Sequence, residues 1–237
     1  MKNVFPKKKF PPLLNDEIHL WSVSLNLSDS TIKRYSSFLS REEEKKARFF
    51  KFEREQNRYR ISQGVLRQLL SSYLNKSPQT IRIGRHKKGK PFSFDNPSMY
   101  FNMSGSGNIC VFAFSRDGEV GIDIEQIREL PDIDELIRKN LTPKEIIYTL
   151  KTPGNKLKRF FQFWTFKEAY LKATGEGMRL TPDNLEFSME GGKMKLLGVK
   201  GIFEAEDWFF TGFSPVKGYI GALAYNEDEV EIKNLRF

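Results

Sequence analysis

One cysteine stands among 237 residues, so no internal disulfide can staple the chain. It is Cys110, in the apolar run Ile109-Cys110-Val111-Phe112-Ala113-Phe114, which predicts a buried thiol in a reducing, cytoplasmic setting. No apolar run approaches bilayer length, which excludes a membrane-spanning helix and predicts no membrane partner. Lys7, Lys8 and Lys9 resemble the basic start of a signal peptide. Pro11, Pro12, Asn15, Asp16 and Glu17 then follow where a hydrophobic segment is required. No internal repeat is present. Acidic residues fall short of basic ones, 30 against 39, for a formal net charge of +9. That excess calls for an anionic partner, and nucleic acid, an acidic protein surface and a phosphorylated small molecule all satisfy it.

Aromatic residues are plentiful. There are 21 Phe, so aromatic packing should carry much of the core of one large domain or two small ones. Ile18–Leu25 reads as a strand. Ser40 with Glu43 forms a capping box at a helix start. Ile61, Val65, Leu66, Leu69, Leu70, Tyr73 and Leu74 recur at helical spacing and predict a long helix from about Glu55 to Leu74. Strands follow near Ile81–Ile83, Tyr100–Met103 and Ile109–Ser115. Arg116-Asp117-Gly118-Glu119 reads as a turn, with Val120–Glu125 pairing back as a hairpin.

The second half repeats the scheme. A short helix runs from Asp132 to Lys139, and Thr142-Pro143-Lys144-Glu145 is a helix start. A long helix carrying Leu157, Phe160, Phe161, Trp164, Glu168 and Leu171 stops at Gly175. Strands around Leu185–Met189, Met194–Leu197, Trp208–Phe213 and Tyr219–Tyr225 close the chain. The order predicts an α+β fold of two similar lobes, each a long helix on a small antiparallel sheet, with a cleft between them. Residues 1–117 form the first lobe and 118–237 the second, and the two-lobed length suggests a monomer.

Gly121-Ile122-Asp123-Ile124-Glu125 puts both carboxylates on one face of a strand, roughly 6.6 Å apart at the backbone. Glu168 adds a third from a distant helix. Such a set suits octahedral Mg²⁺ or Mn²⁺ better than zinc. Alone, the two strand charges also fit a half-exposed strand. Glu168 and Lys172 share a helix face. As a surface pair they contribute under ~0.5 kcal/mol; as a functional pair Glu168 meets the metal and Lys172 a phosphate oxygen. Trp164 reads as a core anchor. Arg82, Arg85, His86, Lys87, Lys88 and Lys90 crowd one short segment, and Lys45, Lys46, Arg48, Lys51, Arg54, Arg58 and Arg60 lie on or after the capped helix. Phe101-Asn102-Met103-Ser104-Gly105-Ser106-Gly107 reads as a strand ending in a hydroxyl-rich turn whose N–H groups can bind phosphate.

In that order, Gly89-Lys90-Pro91, Phe101-Asn102-x-Ser104-x-Ser106, Gly121-Ile-Asp123-Ile-Glu125 and Trp164-Thr-Phe-Lys167-Glu168-Ala-Tyr-Leu-Lys172-x-x-Gly175 resemble the Sfp-type 4′-phosphopantetheinyl transferases over nearly the whole chain. The resemblance implies a pseudo-dimeric fold with coenzyme A in the cleft. It implies transfer of the 4′-phosphopantetheine arm to a serine of an apo acyl or peptidyl carrier protein, releasing 3′,5′-ADP. It places Asp123, Glu125 and Glu168 on Mg²⁺, with Asp123 also at the pyrophosphate, and Lys172 on a phosphate oxygen. Lys46, Arg58, Lys90 with Pro91, and the Ser104 turn grip the nucleotide end. Glu145 matches a proposed general base, and it equally reads as the partner in its own capping box, with a metal-bound hydroxide as the alternative base. The family's usual histidine, expected on the 3′-phosphate, is replaced by Gly105. The departure implies weaker coenzyme A binding, better tolerance of dephospho-coenzyme A, or a silent coenzyme A binder.

Carrier proteins are acidic, which suits a basic enzyme. Leu130–Leu141, with Leu136, Ile137 and Leu141, is the expected apolar docking edge, or else a small helix packed on its own lobe. A basic nucleic-acid-binding protein is the further alternative. It would require exposed stacking aromatics or a known module, and neither is visible, so no nucleic-acid partner is expected.

Overall fold

The computed structural model describes residues 10–177, 179–201 and 207–237, so Lys7, Lys8 and Lys9 lie outside the described residues. The first half runs β1 (Glu17–Ser24), α1 (Asp29–Ser36), α2 (Arg41–Arg48), α3 (Glu53–Leu74), β2 (Ile83–Arg85), β3 (Pro91–Ser93), β4 (Tyr100–Ser106) and β5 (Ile109–Ser115). The second runs β6 (Val120–Gln126), α4 (Ile133–Asn140), α5 (Pro143–Lys151), α6 (Lys156–Thr174), β7 (Leu185–Glu190), β8 (Lys193–Val199), β9 (Phe209–Phe213), β10 (Tyr219–Tyr225) and β11 (Glu231–Arg236).

Helix boundaries follow local chemistry. Ser40 and Glu43 close a reciprocal capping box on α2, and Thr142 and Glu145 close one on α5 behind Pro143. α3 ends at left-handed Asn75 and α6 at left-handed Gly175.

The fold is α+β. Strands β11, β1, β5 and β4 form one sheet in that order, and β6, β10 and β9 form another; β2–β3 and β7–β8 are two-stranded. One face of the first sheet packs on α3 through Trp21, Val23, Phe112 and Phe114 against Ile61, Val65 and Leu69. The second sheet packs on α6 through Ala222 and Ala224 against Phe163, Phe166 and Ala169. Between the sheets, Ile18, Leu20, Val111 and Ala113 meet Ile122, Ile124 and Leu223 in a third apolar cluster. This is the layered burial that amphipathic elements require.

Four expectations are corrected. β6 does not fold back on β5: both edges of β5 are taken by β1 and β4, and β6 pairs with β10. β11 is a strand the sequence reading missed; it returns from the end of the chain to pair in parallel with β1. Ser104–Ser106 is not a turn but the end of β4, and the hairpin turns at Gly107 and Asn108. Ile137 and Leu141 are buried in the second lobe's core with Leu136 packed against it, so they are not an exposed docking edge.

Candidate functional site

β4 and β6 run side by side in the same direction, and among the described residues no main-chain ladder joins them. Side chains do that work. Asn102 Oδ1 accepts from Ile122 N at 3.2 Å, and Ser106 Oγ accepts from Gln126 N at 3.0 Å. Ser104 Oγ donates to Asp123 Oδ1 at 2.8 Å, and Ser106 Oγ donates to Glu125 Oε2 at 2.7 Å. Three alternate residues of β4 thus meet the alternate carboxylates of β6 along one seam, the period of two that strands impose.

α6 lies on the same face of β6 because Gly121 leaves room. A Cβ there would stand 2.1 Å from Ala169 O and 2.3 Å from Ala173 N, both backbone atoms that cannot swing aside. The close approach brings Lys172 into the seam: its Nζ donates to Asp123 Oδ1 at 2.7 Å and to Ser104 Oγ at 2.9 Å. Trp164, on the same helix, stacks on Phe160 and packs against the second apolar core, as its apolar neighbours suggested.

The electrostatics of the seam favour a cation. Burial, then repulsion from neighbouring Asp123, raises the Glu125 carboxyl above its ordinary range. Burial raises Glu168 as well, with Asp123 and Glu125 adding to it. Among the described residues, Asp123 Oδ2 is buried with no hydrogen-bond partner. An orphaned carboxylate oxygen beside two carboxyls held above their ordinary range is what a hard divalent ion would relieve. Among the described residues, however, no three His, Cys, Asp or Glu side chains stand in ligating arrangement. Asp123 Oδ1 is bound by Lys172 and Ser104 instead, and Glu125 by Ser106. The donor set suits Mg²⁺ in chemistry, and Lys172 neutralises part of it as it stands.

Beside the seam is a cleft of about 400 Å³ lined by Lys88, Lys90, Pro91, Asn102, Glu168, Lys172 and Gly175. Lys90 is held at its wall by Glu119 and by Ala173 O at 2.6 Å, and burial lowers its ammonium below the ordinary lysine range. Lys88 pairs with Glu176 across the α6 terminus. Arg85 lines this cleft and also a second pocket of about 730 Å³, where Lys46, Tyr59, Arg67, Arg82 and Phe94 stand. Lys46 Nζ lies 5.6 Å from the centre of the Tyr59 ring.

Asp123, Glu125, Glu168, Lys172 and Ser104 are thus brought together, with Lys90 and Pro91 along one cleft and Lys46 in the neighbouring pocket. Arg58 stands apart, donating to Asn108 Oδ1 at 2.7 Å. Gly105 is exposed, and a Cβ there would meet nothing closer than Ile109 O at 3.6 Å. Glu145 is not in the site. It is buried against Lys167 Nζ at 2.5 Å, and its oxygens accept from Thr142 N and Phe187 N at 2.7 and 2.8 Å. A carboxylate so engaged has no access to a substrate hydroxyl. The bonding roles of Asn102 and Ser106 were missed. The alternation Asn102-x-Ser104-x-Ser106 was the available signal, since it marks one strand face.

Comparison with known proteins gives the family. The 4′-phosphopantetheinyl transferase superfamily model matches residues 119–224, and the model of the 4′-phosphopantetheinyl transferase N-terminal region matches residues 24–117. The 4′-phosphopantetheinyl transferase HetI of Nostoc sp. is 34% identical over 73% of this chain and 75% of its own. The 4′-phosphopantetheinyl transferase Sfp of Bacillus subtilis is 29% identical over 67% of this chain and 70% of its own. The holo-[acyl-carrier-protein] synthase of Thermotoga maritima superposes over 46% of this chain and 62% of that chain, at a TM-score of 0.40 and 22% identity. The chain belongs to the 4′-phosphopantetheinyl transferase family.

Proposed function

We propose that the protein transfers the 4′-phosphopantetheine arm of coenzyme A to a serine hydroxyl of an apo acyl or peptidyl carrier protein, with Mg²⁺, releasing 3′,5′-ADP. The reading rests chiefly on the seam, where Lys172 binds Asp123 and, with Glu168, lines a cleft between the two halves of the chain. The lobe division at 117/118 belongs to the same proposal, with β11 as a segment of the second half that pairs into the first lobe's sheet.

In this reading the nucleotide lies in the pocket of Lys46, Arg82 and Arg85, and the pyrophosphate lies along the cleft of Lys88, Lys90 and Lys172. Cations there neutralise charge that builds on the phosphoryl oxygens as the serine attacks and the 3′,5′-ADP oxygen leaves. Lys172, freed from Asp123, is placed to hold such an oxygen. Mg²⁺ held by Asp123, Glu125 and Glu168 would supply further neutralisation of the pyrophosphate. Glu168 lines the cleft, and in this reading it is the carboxylate on this wall proposed to take the serine proton. Glu145, walled in by Lys167, is not proposed as that base.

The test is the mass of an apo carrier protein after incubation with coenzyme A and Mg²⁺. A gain of one phosphopantetheine is expected, and it should be lost in Asp123→Ala and Glu168→Ala while both variants retain a native melting curve. No gain across acyl and peptidyl carriers, together with tight coenzyme A binding, would select the silent-binder reading that Gly105 motivates.

A further inference from the structure

The first lobe carries an apolar surface that its core does not use. Phe49 is 78% exposed and Phe52 58% exposed, with Phe50 between them resting on Tyr59. They occupy the turn from α2 to α3. Single exposed apolar residues are ordinary, but large aromatics gathered at one projecting turn mark a contact surface. Lys45, Arg48, Lys51 and Arg54 are exposed around them, and Lys51 Nζ lies 5.4 Å from the centre of the Phe52 ring.

The position of this ridge gives it meaning. Arg54 donates to Asn108 Oδ1 at 3.1 Å in the β4–β5 turn, and Asn108 N donates to Tyr219 Oη at 3.1 Å. Tyr219 is the register partner of Gln126, the neighbour of Glu125. The ridge therefore connects to the end of the seam where Glu125 stands. At that same end the second lobe presents the β9–β10 turn, where Gly218 O accepts from Ile127 N at 2.8 Å. Val216, 42% exposed, and exposed Lys217 stand on it. Aromatic and aliphatic tips framed by cations thus come from both halves of the chain.

We propose that Phe49, Phe52, Lys51 and Arg54, together with Val216 and Lys217, form the surface on which the acceptor carrier protein docks through an acidic helix with exposed apolar residues. The inference rests on the transfer reading of the preceding section. Charge complementarity selects the partner: exposed cations surround the apolar tips, and the whole chain carries +9. A protein seated here spans both halves across the Glu125 end of the seam. Glu53 and Glu55, exposed on the first turn of α3, interrupt the positive surface. A pattern broken by acids suits a protein face, whereas a uniformly anionic lipid surface would meet repulsion at those points.

The experiment measures steady-state transfer in Phe49→Ser/Phe52→Ser, Lys51→Glu and Lys217→Glu variants of the full chain. KM for the carrier should rise about tenfold, as for loss of an interface anchor, with kcat and KM for coenzyme A unchanged. Exchanging an acidic for a basic residue on the carrier helix should partly rescue Lys51→Glu. Direct titration of apo carrier without coenzyme A should show the same weakening. That readout tests the ridge even where no transfer occurs, so failure of the transfer reading is seen separately. An unchanged carrier KM and unchanged titration would overturn the proposal. So would Phe-dependent sedimentation with phosphatidylserine vesicles alongside unchanged carrier binding, which would assign the ridge to a membrane surface.

Discussion

Lys167 and Glu145 show how one residue pair divides stability from chemistry. Both side chains are fully buried and 2.5 Å apart, and Lys167 Nζ also donates to Asn140 O and Pro182 O. Burial lowers the Lys167 ammonium below its ordinary range, and Glu145 opposes that shift. Removing either partner strands a charge, a loss of about 3–5 kcal/mol. Glu145→Gln and Lys167→Met should both shift urea unfolding to lower denaturant, with kcat of the folded fraction of Glu145→Gln retained. A large loss of kcat in Glu145→Gln at native stability would restore it as a base. The sequence showed the capping box of Glu145 but not its ion pair, because Lys167 reaches it across two helices. Gly105 is the opposite case. A Cβ there meets only ordinary contacts, so Gly105→His should fold with an unchanged melting temperature and lower the KM for coenzyme A. Isothermal titration with coenzyme A and dephospho-coenzyme A would show whether the gain depends on the 3′-phosphate.

Strand β6 is where the elements meet. Ile122 and Ile124 turn to the apolar layer between sheets, while Asp123 and Glu125 turn to the seam. That alternation could be read directly, as could the polar alternation of β4. Which strands would pair could not be read. The short Arg116–Glu119 link suggested a hairpin, yet β5 already had two neighbours, and β6 took β10. Gly121 sets how near α6 comes. Gly121→Ala should destabilise by at least the ~1–3 kcal/mol typical of overpacking, since its methyl would meet helix backbone. It should also reduce transfer in the folded fraction by moving Lys172 and Glu168. Thermal unfolding and the carrier mass assay read the two effects; a variant as stable as wild type would show that the helix can back away freely.

Across the whole molecule, β11 ties the end of the chain to its beginning. Lys233 on β11 pairs with buried Glu17 on β1, and Phe237 stacks on Phe10 and meets Trp21 edge-on. Behind Glu17 runs a buried network: Trp21 Nε1–H donates to Tyr73 Oη at 2.7 Å, and Tyr73 Oη lies 2.7 Å from His19 Nδ1. His19 Nε2 lies 3.0 Å from Glu17 Oε2. Donor bookkeeping makes Tyr73 donate to Nδ1 and His19 neutral, with its Nε2–H on Glu17. Burial lowers His19 below its ordinary 6.5. The unfolded chain therefore takes up this proton first as pH falls, and stability from this group is present above about 6.5 and lost below it. The urea midpoint should rise from about pH 5 to about pH 7, with a shallower slope in His19→Gln. Deleting residues 231–237 should lower the melting temperature sharply, because Glu17 loses Lys233 and β1 gains an open edge.

The α+β class, the long helices, the two capping boxes and the alternating acids on β6 all come from local order: side-chain periods and terminal hydrogen bonds involve neighbours only a few residues apart. So does the family resemblance, whose motifs are short. The pairing of β6 with β10, the return of β11 to β1, the removal of Glu145 from the site and the bridging of β4 to β6 are different. Each depends on contacts between distant segments, where many pairings satisfy the same local pattern and packing selects one. Even the cationic partner of Asp123 is of this kind: Lys172 reaches it only because Gly121 lets a helix lie against a strand.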